Sequence, residues 1–254
     1  MIRAALAALG LMMAAPATAA ECQRLLFDGA RFTACELDMA ADDVRLFLRN
    51  PDGEVYGTFS RVEAGLPEGQ RLGLAMNAGM FHEDLSPVGL YIENGAEEMR
   101  IVTRDGPGNF GLLPNGVLCL GSGWARVVES RSFAEDPPAC RYATQSGPML
   151  VIGGDLHPRF IESGTSLNIR NGVGVSDDGR RLVLAIADEP VNFHHFARFF
   201  RDGMGTPDAL YLDGRVSRMH APGIGRSDIG FPLGPIIGTV VTETPPVDGG
   251  DGQG

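Results

Sequence analysis

Short apolar runs in this chain are separated repeatedly by pairs of turn-forming residues. They are Asp28-Gly29, Asn50-Pro51-Asp52-Gly53, Asn94-Gly95, Pro114-Asn115-Gly116, Gly153-Gly154, Asp178-Gly179 and Asp213-Gly214. Glycine tolerates positive φ, and Asn and Asp tolerate it better than most residues. Such pairs therefore close the tight turns that join antiparallel strands. The runs between them predict strands over 24–27, 32–37, 44–48, 72–76, 89–92, 99–103, 110–113, 117–120, 124–129, 148–152, 173–175, 181–187, 210–212, 216–219 and 236–241. Residues 134–139, with Pro137 and Pro138, read as a loop. One clear helix is expected over 192–201: Asn192 can cap it, and Phe193, Phe196, Ala197 and Phe200 fall on one face. A short helix over 59–64 precedes Pro67. The fold class that follows is α+β: a strand-rich, largely antiparallel sheet with one clear helix and one or two short helices packed on it.

The start of the chain reads as an export signal. Arg3 supplies positive charge, 4–15 is apolar, and Pro16-Ala17-Thr18-Ala19-Ala20 is a small-residue cleavage region. Residues 1–20 are therefore expected to be removed near Ala20, leaving a periplasmic or secreted protein. Residues 21–242 form a single domain, since no internal linker interrupts them, and the Pro-, Gly- and Asp-rich 243–254 form a disordered tail. No apolar run is long enough to imply a membrane span. The formal charge of −11 repels polyanions over most of the surface, so nucleic acid is not an expected partner. A small anionic ligand requires a local convergence of arginines. Oligomeric state is not legible.

Four cysteines in an oxidising compartment predict disulfides. Of the three pairings, Cys22–Cys35 and Cys119–Cys140 close short local loops and are preferred. No close Cys-x-x-Cys pair suggests zinc.

Several stretches carry polar groups beside predicted strand ends. Asn77-Ala78-Gly79 follows strand 72–76; Asn offers a donor and an acceptor, and Gly79 lets a ligand approach the backbone. Gln145-Ser146 precedes Gly147-Pro148 and can present both side chains to sugar hydroxyls. Arg170-Asn171 joins a planar guanidinium, suited to phosphate or carboxylate, to a strand start. Asp213-Gly214 has two readings: a hairpin turn, which spacing alone favours, or a carboxylate delivered to a cleft by a rigid strand. His82-Glu83-Asp84 could serve acid/base or metal chemistry, or be a solvated loop. His194 and His195 fit no zinc motif, and Gly172-Val173-Gly174 is no dinucleotide fingerprint.

Taken together, Asn77-Ala78-Gly79-Met80-Phe81, Pro87-Val88-Gly89-Leu90-Tyr91, Pro114-Asn115-Gly116-Val117, Gln145-Ser146-Gly147-Pro148-Met149-Leu150, Arg170-Asn171-Gly172-Val173-Gly174 and Leu210-Tyr211-Leu212-Asp213-Gly214 resemble, in order, the signatures of the phosphodiester glycosidase family, above all its bacterial exported members. The resemblance implies an exported hydrolase that cleaves the glycosidic bond of a sugar-1-phosphodiester, releasing free sugar and a phosphomonoester. It maps Asp213, Arg170 and Asn77 onto the polar cleft motifs of the family as catalytic residues. Gly79, Gln145, Ser146, Asn171 and Gly214 become substrate-binding, and Glu83 or Asp84 is the second acid/base where one is used. The animal enzyme of the family has a glycine-rich run after its aspartate where this chain has Gly214-Arg215-Val216-Ser217. The partner implied is a small-molecule or polymeric glycan phosphodiester. No cofactor is required by the sequence, although a divalent cation bridging Asp213 and the phosphate is compatible with it. Two other classes stay open: a non-catalytic envelope glycan-binding protein, and a metal-dependent phosphodiesterase.

Overall fold

Most of the turn pairs act as their chemistry dictates. In a computed structural model, which describes residues 20–243, β1 (Glu21–Phe27) and β2 (Ala30–Asp38) pair across Asp28-Gly29. β12 (Asn171–Val175) and β13 (Arg181–Ala187) pair across Asp178-Gly179, and β5 (Tyr91–Glu93) and β6 (Ala96–Met99) across Asn94-Gly95. The export signal and the tail expected from the sequence lie outside the described residues, apart from their boundary residues Ala20 and Glu243.

Every paired strand is antiparallel, and the strands form three sheets. The seven-stranded sheet runs β1-β2-β13-β12-β14-β10-β11, where β14 is Asp208–Asp213, β10 is Met149–Ile152 and β11 is Asp155–Leu156. A five-stranded sheet runs β16 (Arg226–Ser227), β15 (Met219–Ala221), β4 (Gln70–Asn77), β17 (Ile236–Thr242) and β3 (Asp43–Phe47). The other runs β6, β5, β9 (Tyr142–Ser146), β7 (Gly116–Gly121) and β8 (Trp124–Glu129).

One apolar core joins all three sheets: Leu37, Val173, Leu184 and Leu210 meet Leu46, Leu74 and Met76 of the second and Leu118 of the third. The opposite face of the large sheet carries an aromatic layer beneath α3 (Phe193–Arg198), which continues as one π turn over Phe199–Gly203. Asn192 caps α3 as expected, accepting the His195 N–H at 2.8 Å. Phe32 stacks on Phe199 with centroids 4.1 Å apart. Gly172 and Gly174 are glycines because the helix comes too close for a side chain. A Cβ on Gly174 would lie 2.7 Å from Phe200 and 2.4 Å from Thr206 Oγ1. Two shorter helices, α1 (Phe59–Ala64) and α2 (Ser130–Glu135), complete the fold. Disulfides join Cys22 to Cys35 across β1 and β2, and Cys119 of β7 to Cys140 ahead of β9.

The structure departs from the sequence reading at several places. Residues 100–103 and 216–218, read as strand, lie in no strand, because β6 ends at Met99 and β15 begins at Met219. Asp213-Gly214 is not a hairpin: β14 belongs to the large sheet and β15 to the second. The Asp213 carboxylate accepts the N–H groups of Gly214 and Arg215, at 2.6 and 2.9 Å, and turns the chain out of its sheet. Residues 110–113 form no strand. The Asn115 amide donates to the Phe110 carbonyl at 2.8 Å and rolls this stretch into a loop, so β7 pairs with β8 instead. The loop read over 134–139 begins later, because Glu129 caps α2 by accepting from Arg131 and Ser132.

Candidate active site

Three strand ends meet at the seam between two sheets. β4 ends at Asn77, β12 begins at Asn171, and β14 ends at Asp213. Where β12 and β14 pair, the register slips by one residue: Gly172 faces Tyr211 and Asn171 faces Asp213, with Leu212 the extra residue. Such a bulge re-aims the side chains that flank it. Tyr211 stays with the aromatic layer under α3, while Asp213 turns toward Asn77 on the neighbouring sheet.

The polar groups at the seam are locked to one another. Asn171 donates its amide to the Asn77 carbonyl at 2.7 Å and to Asn77 Oδ1 at 3.2 Å. Asn77 donates to Asp213 Oδ2 at 3.3 Å, and its Oδ1 accepts the Arg218 N–H at 2.8 Å. The Ser217 hydroxyl, with one proton to give, lies within hydrogen-bond reach of the carbonyls of Ile169 and Asp213, at 2.9 and 3.0 Å, and of Asn171 Oδ1 at 3.2 Å. Asp213 thus receives four donors: Gly214 N and Arg215 N on one oxygen, Val216 N and Asn77 Nδ2 on the other. Four acceptor positions are what a carboxylate has, so its geometry is fully prescribed by this chain.

Asp213 and Gly214 open onto a cleft of about 660 Å³. Met80, Phe81, His82, Glu83 and Val88 form one wall, and Gly108, Asn109 and Asn168 another. Tyr211, Arg215, Val216 and Phe231 complete the lining. A larger depression of about 860 Å³ lies elsewhere, against Glu36, Asp38, Asp42 and Asp178, and holds none of the candidate catalytic or substrate-binding residues.

Asp213, Gly214 and Glu83 therefore reach the cleft. Asn77 and Asn171, both fully buried, stand behind Asp213 and hold it. Gln145 is a strut rather than a cleft residue. Its Oε1 accepts from Leu90 N and Val102 N, and its Nε2 donates to Val102 O and Ser130 Oγ, leaving no group for a ligand. Ser146 donates to the Leu212 carbonyl and steadies the bulge. Gly79 admits β9 rather than a ligand, since a Cβ there would stand 2.4 Å from Thr144 Oγ1. Asp84 closes its own turn on Ser86 N and Oγ, which lowers its pKa.

Arg170 does not line the cleft. It is completely buried, donating to the carbonyls of Val191 and Ser166, with its guanidinium 3.7 Å from the Phe193 ring centre. Its Nη1 has no partner. Burial pulls its pKa down, and Tyr211 pulls it back up. Burial likewise pushes the Tyr211 phenol well above the usual tyrosine range, against the lowering pull of Arg170. Tyr211 is thus a neutral donor at the cleft floor, and Gly214 makes room for it: a Cβ there would lie 2.2 Å from the Tyr211 hydroxyl.

Arg218 is the second buried arginine. Burial lowers its pKa, and Asp228 and Asp213 raise it again. Yet neither Arg170 nor Arg218 has a carboxylate within ion-pairing distance among the described residues. By contrast Arg226, less buried than either, pairs with both Asp188 and Asp228. The sequence reading did not single out Tyr211, Arg215, Arg218, Asn109 or Asn168. The one available signal was Arg215, which stands where the animal enzyme of the family has a glycine-rich run. Among the described residues, no group of three or more His, Cys, Asp or Glu could hold a metal ion.

Residues 70–223, which contain every member of this seam, match the phosphodiester glycosidase family. The chain belongs to that family. As a phosphodiester glycosidase family member it is 33% identical to the uncharacterized protein YigE of Escherichia coli (strain K12) over 180 residues, 71% of this chain and 70% of that one. Its fold is similar to that of the zebrafish N-acetylglucosamine-1-phosphodiester alpha-N-acetylglucosaminidase catalytic domain auto-inhibited by pro-peptide. The TM-score is 0.60 at 14% identity, over 87% of this chain and 81% of that one. A putative exported protein from Burkholderia pseudomallei K96243 shares the fold with a TM-score of 0.56 at 12% identity, over 83% and 74% of the two chains.

Proposed function

We propose that this phosphodiester glycosidase family member hydrolyses the glycosidic bond of a sugar-1-phosphodiester outside the cytoplasm. Water attacks the anomeric carbon, the bond from that carbon to the phosphate oxygen breaks, and a phosphomonoester leaves with the bonding electrons. The water oxygen becomes the anomeric hydroxyl of the free sugar.

The observation that carries this reading is the pairing of one cleft carboxylate with unpaired arginines in an acidic protein. Desolvating a guanidinium costs several kcal/mol when no anion accompanies it. Arg218 is held in that condition near Asp213, and Arg170 against Tyr211. Arg215 adds an accessible cation on the cleft wall. An anionic substrate supplies the missing counter-charge. The bond broken has a phosphate as its leaving group, so stabilising an oxocarbenium-like transition state is the harder task.

Asp213 places negative charge beside the developing cation, with Asn77 and Asn171 fixing its position. Tyr211 donates to the departing phosphate, whose charge Arg215 meets directly and Arg170 and Arg218 meet from behind. Glu83, the other carboxylate on the wall, receives the proton of the attacking water. A cation bound at Asp213 would displace one of its four donors. The zebrafish neighbour's name specifies an N-acetylglucosamine-1-phosphodiester, which puts that sugar first among substrates to try. Two disulfides and the Burkholderia neighbour named a putative exported protein support the location.

The test is hydrolysis by the purified mature protein of methyl diesters of several sugar-1-phosphates, in water enriched in oxygen-18, with and without chelator. Label appearing in the sugar, and lost in a folded Asp213→Asn variant, is the expected result. Label in the phosphate, with activity abolished by chelator, would replace the reading with a metal-dependent phosphodiesterase. Saturable binding without turnover would leave a glycan-binding protein.

A further inference from the structure

Five large apolar side chains are strongly exposed among the described residues: Leu26, Ile161, Leu167, Ile229 and Phe231. Four of the five fall in two loops, 157–169 and 228–233, and both loops reach the cleft. Asn168 lines it from the first, and Phe231 from the second. Phe231 is 78% exposed and Ile229 95%. Scattered surface leucines need no explanation, but an exposed phenylalanine on the wall of a polar cleft, with further exposed apolar side chains on the loops that reach it, does.

Both loops are built to hold these side chains out. Asn192, while capping α3, donates its amide to the carbonyls of Glu162 and Gly164. Ser166 is fixed by Arg170, and Asn168 by exchange of backbone hydrogen bonds with Val191. On the other side Arg226 and Met219 N both hold the Asp228 carboxylate, and Leu233 N donates to the Gly57 carbonyl. The loops are anchored at their roots, so the exposed side chains between those anchors are presented rather than left over.

The cleft therefore has two chemistries in series. Its polar lining offers Asp213, Tyr211 and the cation of Arg215, and its apolar lining offers Phe231, Phe81 and Val216. We infer that the group on the far side of the phosphate is a hydrocarbon chain, so that the substrate is an amphiphilic, lipid-linked sugar phosphodiester. Its sugar and phosphate enter the cleft, and the first carbons of its chain lie across the rim formed by Ile229, Phe231 and Leu167. The net charge of −11 argues for a single chain seated here over adsorption to an anionic membrane surface. This inference rests on the hydrolytic reading above and adds to it the class of the second esterifying group.

The experiment compares methyl and geranyl diesters of the same sugar-1-phosphate below any micelle concentration. It follows both turnover and calorimetric binding to the folded Asp213→Asn variant. The geranyl diester is expected to show kcat/KM about 30-fold higher, about 2 kcal/mol of discrimination. In the variant Ile229→Ser/Phe231→Ser the ratio should fall below about 5, while Leu26→Ser, on the fifth exposed residue, should keep it at the wild-type value. Turnover of both diesters at equal kcat/KM would overturn the inference and leave the hydrolytic reading standing. Failure to hydrolyse either would remove that reading instead. In that case tenfold or tighter binding of the geranyl diester would keep the amphiphile assignment, and equal binding would end it.

Discussion

Gln145→Leu separates a structural from a substrate-binding role at one position. The glutamine makes four hydrogen bonds: 3.1 and 2.9 Å from Leu90 N and Val102 N, and 2.6 and 2.8 Å to Val102 O and Ser130 Oγ. Leucine fills the volume and satisfies none of them. The Ser130 hydroxyl can rotate to another partner, but three backbone groups are stranded. Each stranded group costs about 1–3 kcal/mol, and the three together, offset by the added apolar burial, cost about 4 kcal/mol. With a urea dependence of about 2.5 kcal/mol per molar for a domain of this size, the midpoint should drop by about 1.5 M. The single tryptophan, Trp124, gives the fluorescence signal, and its strand β8 pairs with the β7 that borders Gln145. The variant, folded at zero urea, should keep kcat and KM within about twofold, since no atom of Gln145 faces the cleft. An unchanged midpoint with a raised KM would refute the strut and return Gln145 to the substrate.

Other perturbations follow from the same geometry. Asp213→Asn should lower kcat by about 10³ in single-turnover assays, the order seen when a preorganised electrostatic group is removed, with a native circular dichroism spectrum. Arg218→Met should raise the urea midpoint or leave it unchanged, because it removes a buried cation that no carboxylate pairs with directly. It should also weaken binding of a phosphodiester at least tenfold by calorimetry, and loss of stability without loss of binding would contradict its assignment. Tyr211→Phe should cut kcat/KM by about 10²-fold with no change in the shape of the pH profile below pH 9, because burial keeps the phenol protonated there. Burial depresses the pKa of His157 and of His220, so the unfolded chain binds protons that the folded one refuses. Stability should be full above about pH 6.5, the unfolded histidine value, and fall as pH drops through the window below it. The urea midpoint should be lower at pH 5 than at pH 7.5, and His157→Phe should narrow that gap.

Hairpins and helix caps were legible in the sequence because they depend on residues a few positions apart. Asp28-Gly29, Asn94-Gly95 and Asp178-Gly179 each turned as expected, and Asn192 capped its helix. Asp213-Gly214 carries the same local signal and does something else. Its carboxylate finds three N–H groups within the next three residues and an amide 136 positions away. No local pattern distinguishes an aspartate that faces the core seam from one that faces solvent. The same blindness moved Gln145 and Arg170 from imagined ligand contacts to interior supports, since polar residues beside strand ends look alike until burial is known. Tyr211 and Arg218 were invisible for the converse reason: an isolated tyrosine in an apolar strand and an isolated arginine carry no spacing to read. Their significance lies in what stands next to them across the seam.

The seam also has a bearing on timing. Asn77 and Asp213 belong to different sheets, and the hydrogen bond between them spans 136 residues. Contacts so distant in sequence form late, after the closure of the intervening chain. In a chain emerging N-terminus first, Asn77 waits for β12, then for β14 and the Arg218 N–H, and finally for Ile236 of β17, which pairs opposite it. On the hydrolytic reading proposed above, no truncated or half-emerged chain holds Asp213 in its working geometry, however well its first hairpins have formed. The onset of turnover is therefore a clock for the last folding event, and following it during refolding would date the closing of the two sheets without any added label.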